Sequence, residues 1–165
     1  MLCFFLCAIL FLSCDKHEPD ASRRYAPAAA IELEQTDEEI ARIAENARRT
    51  LPIFFRNLAR PETGAGDFYV KYPLTADDGS RMEQVWLANI HFKEGEYYGA
   101  LANTTMRLDL NIGDTIVFNP DGIADWMYIK DGKIIGGRSI KYILEKIPES
   151  ERNEDQRKIL KMFGE

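Results

Sequence analysis

Glu83-Gln84-Val85-Trp86-Leu87-Ala88-Asn89-Ile90-His91-Phe92 is the run that sets the fold class. Apolar and aromatic side chains recur with a period of two, the repeat of a strand whose successive side chains point to opposite faces. Trp86, Ala88, Ile90 and Phe92 fall on one face and are expected to build core. His91 falls on the other, beside Val85, Leu87 and Asn89, and reads as a surface or hydrogen-bonded residue rather than a ligand.

The same pattern recurs on both sides of this run. Phe68 to Leu74, Tyr97 to Asn103, Thr115 to Phe118, Ile123 to Lys130 and Lys133 to Ile135 all read as strands. Between them stand Asp77-Asp78-Gly79, Glu94-Gly95, Asn119-Pro120-Asp121-Gly122 and Asp131-Gly132, residues that tolerate the positive φ of tight turns. Such short connections make neighbouring strands antiparallel. Residues 104 to 113 form a longer link, with Met106, Leu108, Leu110 and Ile112 compatible with a loop or a short strand.

Helical periods bracket the strands. Thr36 with Glu39 makes a capping box, and Ile40, Ile43, Ala44, Ala47, Leu51, Phe54 and Leu58 follow at spacings of three and four. Pro52 removes a backbone donor, so a kink is expected there, or a restart with Thr50 as the new cap. Arg48, Arg49, Arg56 and Arg60 read as a solvated face in preference to a basic stripe for an anionic ligand. Two further helices are expected at Ser139 to Lys146 and, after Pro148, at Ser150 to Phe163. The whole is α+β: a curved antiparallel sheet, open or partly closed into a barrel, flanked by an N-terminal amphipathic helix and C-terminal helices.

The chain opens on an uncharged run, Met1 to Cys14, which ends at Leu12-Ser13-Cys14 and gives way to Asp15-Lys16-His17-Glu18. A bilayer-spanning helix needs roughly 20 apolar residues, whereas the core of an export signal needs about 7 to 15. The small Ser13 before Cys14 resembles the lipobox of bacterial lipoproteins, although Phe11 and Leu12 depart from it and no Lys or Arg precedes the run. Cys14 is therefore the expected lipidation site, anchoring the chain to a membrane. Residues 15–36 then serve as a flexible tether, 37–147 as the α+β domain and 148–165 as a C-terminal helical segment. The location that follows is the bacterial cell envelope, with the domain in the periplasm or outside the membrane.

All three cysteines, Cys3, Cys7 and Cys14, lie in that first run, so the domain has no disulfide framework and no thiolate zinc site. The net charge of -6 argues against nonspecific nucleic-acid binding, which depends on Lys and Arg at phosphates. No metal or cofactor is expected.

Phe68-Tyr69-Val70-Lys71, Glu83-Gln84-Val85-Trp86, Gly99-Ala100-Leu101-Ala102-Asn103, Gly113-Asp114, Ile123-Ala124-Asp125-Trp126-Met127 and Gly136-Gly137 together resemble a bacterial domain of unknown function, family 2314, the YegJ-like proteins. The resemblance covers residues 40 to 147. It implies a protein without an established activity, in a family some of whose members look like exported or envelope proteins and for which an immunity role against toxins has been suggested. The family pattern often carries His after the glutamate matched by Glu83, and Gln84 stands there in this chain, so no role for that histidine carries over.

Candidate pocket residues are Lys71, Glu83, Trp86, Asp125, Trp126 and Arg138. Alternation puts Asp125 among Ile123, Met127 and Ile129, where a carboxylate needs backbone donors or a cation such as Lys71 or Arg138. Gly136-Gly137-Arg138-Ser139 lacks the P-loop lysine and reads as a strand-to-helix turn with Ser139 as N-cap. No nucleophile stands with a base in a recognisable pattern, so no catalytic residue is assigned. The expected function is a membrane-tethered, non-catalytic binding or interaction domain with an envelope protein as partner. The alternatives are an envelope hydrolase using Glu83 and Asp125, and a structural or stress-related lipoprotein.

Overall fold

A computed structural model describes residues 38–76 and 79–164. The expectations for the signal segment ending at Cys14, the tether and the Thr36 cap lie outside the described residues, as do positions 77 and 78 of the first turn. Among the described residues β1 (Ala65–Thr75), β2 (Met82–Lys93), β3 (Glu96–Leu101), β4 (Thr115–Phe118), β5 (Asp125–Lys130) and β6 (Lys133–Gly136) form one sheet. The strand order is β4-β3-β2-β1-β5-β6, and every neighbouring pair is antiparallel. The sheet is open, with β4 and β6 as its edges, and the fold is α+β.

Both faces of the sheet are buried around β5. Along β5, Trp126 and Tyr128 enter one apolar cluster while Met127 and Ile129 enter another. Helix α1 (Glu38–Ala59) covers the first face with Ala47, Leu51 and Phe54. Helices α2 (Arg138–Lys146) and α3 (Glu154–Met162) cover the second with Ile140, Leu144, Ile159 and Leu160. Two-sided burial explains why β5 is apolar at successive positions instead of alternating with polar residues.

Helix α1 runs unbroken through Pro52, which lies on its exposed side, where water can serve the carbonyl left without a donor. Thr50 is not a cap. Its hydroxyl donates to the Asn46 carbonyl at 2.8 Å and accepts from Trp126 Nε1 at 3.2 Å, and the same indole donates to the Ala47 carbonyl at 3.1 Å. These bonds pin the helix to β5.

The period of β2 breaks at Asn89. Its φ is 51°, and the register with β3 slips between Ala88 and His91, the signature of a β-bulge. One inserted residue reverses the faces beyond it. Trp86 and Ala88 therefore pack with the α2 cluster, Ile90 joins Val85 and Leu87 beneath α1, and Phe92 is 62% exposed instead of core. His91 lies exposed and stacks on Tyr98 at 5.4 Å. A matching irregularity surrounds Asp67, at φ 49°, and the pairing of β1 with β2 ends at Val70 and Leu87. The parted strands leave a shallow pocket of about 190 Å³ lined by Leu58, Phe68 and Ile90 among others.

Residues 104–113 take the loop alternative and pack the half-buried Leu110 against the core. Two further boundaries differ from expectation. A 3-10 turn at Pro120–Gly122 delays β5 to Asp125. Helix α3 starts at Glu154 because Asn153 and Gln156 form a capping box there, after a separate turn at Glu149–Glu151.

Candidate functional site: a buried carboxylate at the start of α2

Strand β1 lies between β2 and β5, and its Lys71 is the direct cross-strand partner of Trp86 on one side and Asp125 on the other. Directly opposed residues share a face, so the three side chains form one row on the α2 side of the sheet. Asp125 is 1% exposed. Its Oδ1 accepts from the Trp126 amide at 2.8 Å and its Oδ2 from the Ser139 amide at 2.7 Å. The Ser139 hydroxyl hydrogen-bonds the same carboxylate, and Lys71 Nζ donates to Ser139 Oγ at 3.4 Å.

The local sequence explains how Ser139 arrives there. Gly136 and Gly137 both have positive φ, 83° and 62°, and the Gly137 amide donates to the Trp126 carbonyl at 2.8 Å. A Cβ on Gly136 would stand 2.2 Å from that carbonyl oxygen, so only glycine lets the chain press onto β5 at this point. Gly137, not Ser139, is the N-cap of α2, and it has no side chain to offer the first amides. Asp125 supplies the missing acceptor from a neighbouring strand. It acts as a cap from outside the helix and places negative charge at the positive end of the helix dipole.

Burial pushes the Asp125 carboxyl above its ordinary range, against the opposing pull of the Ser139 amide and hydroxyl, the Trp126 amide and the Lys71 charge. Burial likewise pushes the Lys71 ammonium below its ordinary range, opposed by Asp125. A lysine of lowered pKa beside a serine hydroxyl is one way to activate a nucleophile. Here Ser139 is 3% exposed and its hydroxyl is engaged by Asp125, which leaves no approach for a substrate.

The six candidate pocket residues do not meet in one place. Lys71, Trp86 and Asp125 form the row just described. Glu83 belongs with Val85 and Leu87 on the α1 side, since no bulge intervenes between them. It is 7% exposed, and its two oxygens accept from the Met106 amide at 3.0 Å, with a third bond from the Arg107 amide at 2.9 Å. Trp126 also faces α1, and Arg138 is exposed at the first position of α2. Glu83 and Asp125 thus lie on opposite faces of the sheet. Ser139 and Asn103 were missed as site residues; Asn103 Oδ1 accepts from the Trp86 amide at 2.6 Å. The adjacent glycines ahead of a helix were the signal for Ser139, whereas nothing local marks Asn103. Among the described residues no group of three or more His, Cys, Asp or Glu is placed to hold a metal ion, and no helix is long and apolar enough to cross a membrane.

With that geometry in place, comparison with known proteins places the chain. It belongs to the family described as uncharacterized protein conserved in bacteria, DUF2314, whose model matches residues 37–160 and so runs into α3. A putative ankyrin repeat protein of Neisseria meningitidis is 35% identical over 129 residues, 74% of this chain and 51% of the relative. The uncharacterized protein YegJ of Escherichia coli is 31% identical over 98 residues, 59% of this chain and 63% of the relative. The chain therefore spans between about half and under two thirds of the length of these curated relatives. No solved structure matches.

Proposed function

We propose that this protein is a non-catalytic interaction domain of the bacterial cell envelope, tethered to a membrane through lipid on Cys14. The observation that carries the reading is the fate of the two buried carboxylates. Glu83 and Asp125 are spent on backbone amides of their own chain and lie on opposite faces of the sheet, so neither is free to act with the other on a substrate bond. Apolar exposure is concentrated elsewhere. The edge strand β4 carries no charged residue and leaves Val117 51% exposed, and Phe92, Met106 and Ile112 are exposed as well. An uncharged strand that forms the sheet edge among the described residues is a surface that a partner strand can extend.

The test is recovery of partners from detergent-solubilised membranes by the full tagged chain, alongside its Val117→Lys variant. The expected result is a reproducible partner that the variant fails to retain, with intact mass showing acyl chains on Cys14. A reproducibly empty recovery would sink the interaction reading, and an unmodified Cys14 would sink the tether.

A further inference from the structure

The outer face of α1 carries a charge pattern that neither the fold nor the buried carboxylate uses. Arg49, Ile53, Arg56 and Arg60 are spaced by four, three and four residues, which aligns them on one stripe of the helix. The buried residues Ala47, Leu51 and Phe54 lie on the other side. Ile53, in the middle of the stripe, is 41% exposed. Residues 46–61 contain four arginines, counting Arg48, and no acidic residue, in a chain whose net charge is -6.

Among the described residues the stripe's arginines are not neutralised by ion pairs. Arg42, about two turns before Arg49, is bonded to Glu38 and Glu39. Arg49, Arg56 and Arg60 have no carboxylate within ion-pair distance among the described residues. The nearby Glu62 is bonded to Lys130 and attracts Arg56 only at longer range. Among the described residues the stripe is a row of unpaired cations around one exposed aliphatic side chain.

We propose that this face of α1 docks on an anionic lipid surface, an inference that rests on the membrane tether argued above. Only 23 residues separate Cys14 from Glu38, so a lipidated chain holds α1 within about 80 Å of the bilayer at full extension, at about 3.3–3.6 Å per residue. Confinement of that kind turns a weak surface attraction into an intramolecular one. Each arginine near an anionic leaflet favours the docked state about fivefold, and the stripe lets three act together while Ile53 enters the headgroup region. Docking would lay α1 along the membrane and leave the β4 edge free for a partner.

A photo-crosslinking residue at position 53 of the full chain tests this, in vesicles of phosphatidylcholine alone or mixed with phosphatidylglycerol. Lipid adducts are expected in the mixed vesicles and not in the neutral ones, and high salt should suppress them. In the R49Q/R56Q/R60Q variant the docked-to-undocked ratio should fall roughly a hundredfold with melting unchanged. Equal adduct yield in neutral vesicles, or equal yield from position 133 on the β6 edge, overturns the inference, as does a protein adduct in place of lipid. Flotation separates the two readings: a chain that floats with both vesicles but gives no lipid adduct at 53 loses the docking face alone. A chain that floats with neither loses the tether as well.

Discussion

Asp125 Oδ2 accepts the Ser139 amide at 2.7 Å, so a carboxylate at the start of one strand caps a helix that begins 13 residues later. Removing it exposes three consequences together: the α2 amide loses its acceptor, Lys71 loses its only nearby countercharge in the row, and the Trp126 amide is freed. Asp125→Ala is expected to cost about 3–5 kcal/mol in urea unfolding, the range for breaking a buried charged network from one side. Ser139→Ala keeps the amide bond and should cost about 1 kcal/mol. Equal losses in the two variants would contradict the capping role.

The pH dependence of stability carries a definite sign. Burial raises the folded pKa of Asp125 above its ordinary 3.8, so the folded chain holds that proton more tightly than the unfolded chain. Its contribution is then greatest below 3.8 and is lost as pH rises through the folded value. Relative to Asp125→Asn, which does not titrate, the wild type should lose stability across that acidic window. Paired urea titrations of the two proteins read the difference directly. A wild-type advantage that grows with pH would mean that the Ser139 and Trp126 bonds outweigh burial. Lys71 runs the other way, since its lowered folded value gains stability as pH rises toward 10.5.

Gly136→Ala should be far more damaging than an equivalent change at Gly132. Both have positive φ, 83° and 75°, which costs an L-residue about 1–2 kcal/mol. Only Gly136 also faces Trp126, whose carbonyl oxygen would lie 2.2 Å from the new Cβ, whereas nothing stands within 4 Å at Gly132. Thermal melts of the two variants isolate the clash. Similar melting would mean that the chain at Gly136 can retreat from β5, and the route by which Ser139 reaches Asp125 would need revision.

The six strands, their antiparallel pairing and the flanking helices could be read from the chain because each rests on local pattern and turn chemistry. Asp125 was visible as a buried carboxylate in need of donors for the same reason. What could not be read was anything that depends on two distant segments meeting. Nothing near Asp125 announces that Ser139 will supply its amide, and nothing near Glu83 announces the Met106 and Arg107 amides. The bulge at Asn89 misled the face assignment, because an uninterrupted period of two hides a single inserted residue.

That bulge can be tested on its own. Asn89 adopts φ 51°, a conformation open to Asn and Gly but costly for β-branched residues. Asn89→Gly should be neutral or slightly stabilising, and Asn89→Val should lose about 1–2 kcal/mol with no buried side chain removed. If Asn89→Val melted like the wild type, β2 would be regular there, and Ile90 would return to the face of Trp86 and Ala88.

Glu83→Gln tests the separation of the two carboxylates. The substitution keeps size and one acceptor but replaces the other oxygen with a donor that faces the Met106 and Arg107 amides. Loss of these charge-assisted bonds should cost about 1.5–3 kcal/mol. Hydrogen exchange should locate the effect: the amides of Met106 and Arg107 should exchange faster, while those of Trp126 and Ser139, bonded to Asp125 on the other face of the sheet, keep their protection relative to global stability. Deprotection of Ser139 in step with Met106 would instead couple the two carboxylates through the sheet. It would also bring back the possibility that they work as one site.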